Sequence, residues 1–371
     1  MVYIEYSFTS SIIDVLNRNF PNKAEEVISL SELIQYLNIK TKAANKNSKS
    51  RGSFANLYAI YVLVEDYIKK GFHKSGSYNQ YQGAQFNSLF KRQRALPFGS
   101  RLQNHALNHR LNEEFKKYFP ESQFLPILRD IKTNRYWINE NLLVIKTTNG
   151  NINIAEAVIE IINIYIEVRK KEFKEFMEYC EEIIRIQKED PGKLVSFVSG
   201  LLRPDVDARI FEIVSYAILK NHYAGQKIYW GWDVEDINEE QLMLFKTGRT
   251  NANDGGIDFV MRPLGRFFQV TEMIDSDKYF LDIDKVQRYP ITFVIKSELS
   301  VDEIISKVKV QAQKRYSINE IVKCYMQAIE EVINIPMLLE ILNDLLQEGK
   351  GGLVINEILI QSKLEFDLNE T

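Results

Sequence analysis

The sequence predicts a mixed α/β protein, mostly helical over residues 1–150 and alternating helix with strand from residue 201 onward. Three observations carry that reading. Apolar residues recur at helical spacing through the early segments, and a long helical pattern ends at Asp190-Pro191-Gly192. Beyond it, two strand-like runs flank Pro263-Leu264-Gly265, a hairpin turn signal.

The elements follow in order. Short helices are expected over residues 11–17 and 30–37, then an exposed polar loop over residues 40–53. Ser53 is placed to cap a helix reaching Lys70, with Leu57, Ile60, Tyr61, Val64 and Ile68 on its apolar face and Gly71 as its stop. The Gln-, Asn- and Arg-rich stretch from Phe72 to Arg110 does not resemble a core segment. A short strand (141–146), a turn (146–151) and a helix from Ile154 to Lys188 come next. The last part predicts a helix over 207–222, a strand over 226–232 and a short helix over 239–245. Strands at 257–262, 266–272 and 291–296 follow. Ser300-Val301-Asp302-Glu303 is a capping box that opens a further helix. Two more helices and a strand at 352–360 complete the chain. The expected organisation is a basic domain over 1–150, a connecting helix and linker over 151–200, and a second domain over 201–371.

The net charge of −3, from 47 basic and 50 acidic residues, points to no polyanionic partner. Its distribution does. From Leu33 to Asn112 thirteen Lys and Arg face only Glu65 and Asp66, a net of +11, while the remaining 34 basic and 48 acidic residues give −14. Charge segregated in this way marks the basic segment as a candidate nucleic-acid surface. The N-terminal residues show no basic-then-apolar leader pattern and no apolar run is long enough for a membrane span, so a cytoplasmic protein is expected. Cys180 and Cys324 match no metal or redox spacing and are expected to be free thiols.

Asp254-Gly255-Gly256-Ile257-Asp258 leads into the first hairpin strand, its glycines allowing a bend that brings Asp258 to the hairpin mouth. On the second strand Gln269 and Thr271 share one face, and Val270 and Glu272 the other. Glu212 is the only acid between Asp207 and Asp233, on a helix apolar almost all round. It needs a partner: a divalent cation, a lysine or a backbone amide.

Phe211-Glu212 on a helix, then Asp254-Gly255-Gly256-Ile257-Asp258, then Gln269-Val270-Thr271 resembles the PD-(D/E)XK nuclease superfamily, particularly its Mrr-like branch, over Arg209 to Glu272. The resemblance implies a restriction-endonuclease-like core, a central mixed sheet flanked by helices, in an Mg²⁺-dependent type II restriction endonuclease. Asp258 would ligate the metal, Gln269 would stand where most members carry Glu or Asp, and Glu212 would be an accessory metal ligand. Thr271 occupies the position of the family's lysine, which orients water and stabilises charge on the phosphate. Threonine supplies a hydrogen bond without charge. Glu272 or Lys278 are the residues at hand to compensate.

Arg and Lys serve guanine edges and phosphates, Asn and Gln serve adenine. Lys91, Arg92, Gln93, Arg94 and Arg110 supply such groups. A helix starting near Ser100 would align Arg101, Asn104, His105 and Asn108 on one side. Double-stranded DNA is the expected partner, bound by a homodimer, with the long helix and residues 318–347 as candidate dimer elements. A cognate methyltransferase would share the recognition site. His105 and His109 lack a third ligand and the glutamate of a helical zinc motif, and no Walker A loop or dinucleotide fingerprint occurs. The competing readings are a modification-dependent nuclease, a non-catalytic DNA-binding protein, and an RNA-binding protein that stacks bases on Tyr78, Tyr81 and Phe86.

Overall fold

The computed structural model describes residues 3–42, 50–74, 78–100, 102–147, 150–186, 190–247 and 257–366. The chain is mixed α/β and divides into two compact units, one up to Phe176 and the other Met177–Phe366. The division falls inside the long helix, whose first half therefore belongs to the first unit's core instead of forming a separate connector.

The first unit contains α1 (Thr9–Asn19), α2 (Ala24–Leu30), α3 (Glu32–Thr41), α4 (Ser50–Lys69), β1 (Ala84–Gln85), α5 (Phe86–Ala95), α6 (Leu111–Tyr118), β2 (Ile127–Asp130), β3 (Arg135–Ile138), β4 (Val144–Thr147), β5 (Gly150–Asn153) and α7 (Ala155–Ile186). Ser31 starts α3 by accepting the Ile34 N–H at 3.1 Å. α4 is central: every residue from Leu57 to Val64 is buried, so the amphipathic face expected at that helix widens into an all-round one. α4 begins at Ser50, so Ser53 lies inside it; of the loop expected over 40–53, residues 40–41 are the end of α3 and 50–53 the start of α4, while 43–49 lie outside the described residues.

The stretch 72–110 departs from expectation. Tyr81, Leu89, Leu96, Leu102 and Leu107 join the core, because its sparse apolar residues fall on the inner faces of α5 and of a π-helical turn at Ala106–Arg110. β3 pairs antiparallel with both β1 and β2, a three-stranded sheet that the sequence pattern did not predict. A second strand, β5, stands between the predicted strand and α7 and pairs with β4.

The second unit contains α8 (Pro191–Leu202), α9 (Ala208–Tyr223), β6 (Lys227–Trp230), β7 (Asn238–Gln241), β8 (Met243–Lys246), β9 (Phe259–Arg262), β10 (Arg266–Thr271), α10 (Ser276–Lys285), β11 (Ile291–Ile295), α11 (Val301–Arg315), α12 (Asn319–Gln327), β12 (Ile329–Ile333), α13 (Ile335–Gln347) and α14 (Gly351–Phe366). Its sheet has the order β12-β11-β10-β9-β8. β8, β9 and β10 are an antiparallel meander, and β10, β11 and β12 run parallel. The β9–β10 turn ends at Gly265, whose φ of +68° suits glycine. The Ser300–Glu303 capping box forms as expected.

Two predictions are corrected. Residues 239–245, expected as helix, are β7 and β8, because ladder pairing with β6 and β9 overrides a weak helical pattern. Residues 352–360, expected as strand, are helical in α14, whose apolar residues pack on α9 and α13. Asp207 caps α9 through the Arg209 N–H at 2.8 Å, and the helix buries everything from Arg209 to Leu219.

The two faces of the sheet have different neighbours. Phe259 of β9 meets Tyr216 of α9 with ring centroids 5.2 Å apart, and Phe268, opposite it on β10, meets Tyr223 of α9. Phe293 of β11, opposite Gln269, stacks on Tyr279 of α10 at 4.6 Å. One face therefore receives α9 and the other α10.

Candidate active site and nucleic-acid interface

Asp258 stands just before β9, where it takes over the ladder. Its backbone N–H donates to Phe268 O at 2.9 Å, and its carboxylate accepts the Val270 N–H at 2.7 Å. The side chain is thus held against the neighbouring strand by a charge-assisted bond. Asp254, Gly255 and Gly256 lie outside the described residues.

Gln269, beside it on β10, is 9% exposed. Its amide nitrogen donates to Val270 O at 3.3 Å, and its Oε1 is buried without a hydrogen-bond partner among the described residues. An unsatisfied buried acceptor carries a desolvation cost of about 1–3 kcal/mol. Two residues on, on the same face, the buried Thr271 hydroxyl lies 3.1 Å from Lys278 Nζ of α10 and 3.3 Å from Met273 O. The α10 face thus gathers Gln269, Thr271 and Lys278 next to Asp258.

Glu212 and Glu272 lie elsewhere. Glu212 of α9 pairs with Lys246 of β8 at 2.7 Å, both side chains largely buried. Lys246 is opposite Phe259, so this ion pair sits on the α9 face. Of the partners open to Glu212 from sequence, a lysine is present. Glu272 pairs with Lys296 at 3.1 Å; the Lys296 side chain is 2% exposed and its ammonium also donates to Val206 O. Sequence reasoning missed both lysines. Lys246 was hidden by the helical reading of 239–245, whereas Lys296 could have been noticed as a cation ending the apolar run Ile291–Ile295.

Among the described residues, oxygen donors at the hairpin mouth include the Asp258 carboxylate, Gln269 Oε1 and the Thr271 hydroxyl. Among the described residues no group of three His, Cys, Asp or Glu side chains could hold a metal ion.

In the first unit the basic segment is only partly available. Lys91, Arg94, His105 and Arg110 are exposed. Arg94 donates to Ser100 O at 2.5 Å and lies 5.7 Å from the Phe90 ring centre. Arg92 grips Glu65 with two bonds of 2.9 Å. Gln93, expected to read bases, is fully buried and donates to Ala55 O at 3.1 Å, since it falls on the inner face of α5. The helix expected from Ser100 begins only at His105. Arg101 lies outside the described residues. Asn104 is half-buried, and Asn108 is engaged by Tyr136 Oη at 3.2 Å and, through its carbonyl, by Arg129 at 2.6 Å. The rings of His105 and His109 are 5.9 Å apart. Tyr78 and Tyr81, named as stacking platforms, bond instead to Ile138 O and the Asp66 carboxylate, and the Phe86 ring packs against Tyr136.

Among the described residues no helix is long and apolar enough to cross a membrane. Comparison with known protein families, curated proteins and solved structures returned no match.

Proposed function

We propose that this chain is an Mg²⁺-dependent endonuclease of the restriction type that cuts duplex DNA at defined sites. The observation that carries the reading is the hairpin mouth. An oriented Asp258 carboxylate, a buried Gln269 amide oxygen with no partner among the described residues and an ammonium at Thr271 come together where the sequence resemblance expects two ligands and a lysine. The order helix, antiparallel meander, helix and parallel strand, in a mixed sheet with helices on both faces, supports the same reading.

Asp258 and Gln269 fit an oxygen-ligated Mg²⁺; Glu212, bound to Lys246 on the other face, does not. When bound, the ion would polarise a phosphate oxygen and lower the pKa of its water. The Val270 N–H fixes the Asp258 carboxylate, and Gln269 offers a neutral oxygen beside it. Lys278 brings to Thr271 the positive charge that a threonine lacks, so that hydroxyl and ammonium together orient a water and stabilise negative charge. Exposed Lys91, Arg94 and Arg110 supply phosphate contacts. A homodimer would match palindromic sites.

A non-catalytic DNA-binding protein is the second reading. It is favoured by the Glu212–Lys246 and Glu272–Lys296 ion pairs, which commit two acids to structural partners.

The deciding experiment incubates the purified chain with unmethylated and methylated phage DNA and Mg²⁺, beside Asp258→Ala. Discrete fragments are expected from the wild type and none from the variant, with DNA binding retained. Binding without cutting in either methylation state would leave the second reading.

A further inference from the structure

The β2–β3 hairpin ends in Ile131, 79% exposed. A lone exposed aliphatic is ordinary surface, but three features set this one apart. The tip is built stiffly: the Asp130 carboxylate accepts the Lys132 N–H at 2.9 Å and the Thr133 hydroxyl at 2.8 Å. Asn134 holds a φ of 55°, and its carbonyl accepts the Phe86 N–H at 3.2 Å. The ribbon is also fastened to the basic segment. Arg129 and Tyr136 both bond Asn108, and Asn112 holds Ile127 through its N–H at 3.0 Å and its carbonyl at 2.8 Å. Finally, it has a cation beside it and its turn is bonded to the start of a basic helix. Lys132 is exposed beside Ile131, and α5, which begins at the residue bonded to Asn134, carries exposed Lys91 and Arg94. Asp130, the one acid of the tip, is committed to the turn, whose hydrogen bonds from Thr133 and Lys132 hold its carboxyl below the usual range.

We propose that this hairpin tip is a DNA wedge, with Ile131 entering a base step of the duplex while the neighbouring cations hold the flanking phosphates. The inference rests on the DNA-binding reading of the basic segment. Apolar wedges unstack a step at a cost in stacking, which is offset when the bent duplex meets more protein surface. A wedge works only if its order is established before binding, and the tip's own hydrogen bonds provide that. An apolar residue with an exposed cation beside it also suits the duplex chemically, since phosphates flank a stack of apolar base faces.

The test uses the full-length chain carrying Asp258→Ala, without divalent cation, on plasmid relaxed by a type I topoisomerase. Unstacking unwinds the duplex and shifts the topoisomer distribution. The parent is expected to shift it; adding Ile131→Ala should abolish the shift and weaken binding about tenfold, the loss expected when an aliphatic side chain is no longer buried. Ile131→Leu should restore both. Circular dichroism melting checks folding, which an exposed position should not disturb. An unchanged shift in Ile131→Ala overturns the wedge, as does a parent that binds DNA without any shift; in both cases the nuclease reading stands. Loss of a sedimenting dimer in Ile131→Ala with the shift unchanged would assign the tip to a second copy and overturns the wedge as well. A parent that shifts topoisomers while the wild type never cuts removes the nuclease and keeps the wedge. No DNA binding at all removes both.

Discussion

Under the proposed nuclease reading, a single residue type at Thr271 separates two mechanisms. A strand lysine would carry its charge on the same side chain that faces Gln269; here the hydroxyl comes from β10 and the charge from Lys278, one helix away. A charge on a separate element can be removed without disturbing the strand. Lys278→Met, which keeps the stem and deletes the ammonium, should reduce cleavage by about 10²-fold or more, the usual scale for one electrostatic contact to the transition state. Lys278→Arg should recover part of it. Single-turnover cleavage with saturating enzyme reads both, and an Lys278→Met chain that cuts at the wild-type rate would exclude Lys278 from the reaction. Glu272 is the contrasting residue: its partner Lys296 is almost wholly enclosed, and removing one member of such a pair leaves a buried charge costing about 3–5 kcal/mol.

At the scale of elements, α4 and α5 are tied by the paired bonds of Arg92 to Glu65. Partial burial raises the Glu65 pKa, but hydrogen bonds from Arg92 and Lys69 outweigh it and bring the carboxyl below its ordinary 4.5. A depressed folded-state pKa contributes stability that is complete above the unfolded value and disappears as pH falls through the folded one. Stability against urea should therefore decline below about pH 4.5, and Glu65→Gln should flatten that part of the decline while lowering stability at pH 7. Equal pH slopes for the two proteins would show that the tie contributes nothing. The same tie commits Arg92 to Glu65, so under the proposed DNA-binding reading α5 offers Lys91 and Arg94.

For the whole molecule, the segregation of +11 and −14 predicts how the proposed DNA binding should respond to salt. Each phosphate neutralised releases counterions, so log K should fall linearly with log salt, with a slope of about −0.9 per contact. Arg94→Ala and Arg110→Ala, tested with Asp258→Ala to prevent cutting, should each make that slope shallower by about one. Titrations from low to physiological ionic strength check this; slopes identical to the parent would move the DNA surface away from α5 and the Ala106–Arg110 turn.

The sequence alone determined what depends on neighbours along the chain. The hairpin around Gly265, the Ser300 capping box, the extent of α7, the common face of Gln269 and Thr271, and the charge asymmetry were all legible, because turn chemistry, periodicity and charge are local properties. Only the tertiary structure decided who meets whom. It turned residues 239–245 into strands through pairing with distant partners, gave Glu212 to Lys246 on the face opposite Gln269, carried Lys278 to Thr271 and sank Gln93 into the core. The physical reason is the same in each case: burial and ion pairing are set by register and packing between segments far apart in sequence, and no window along one chain contains that information.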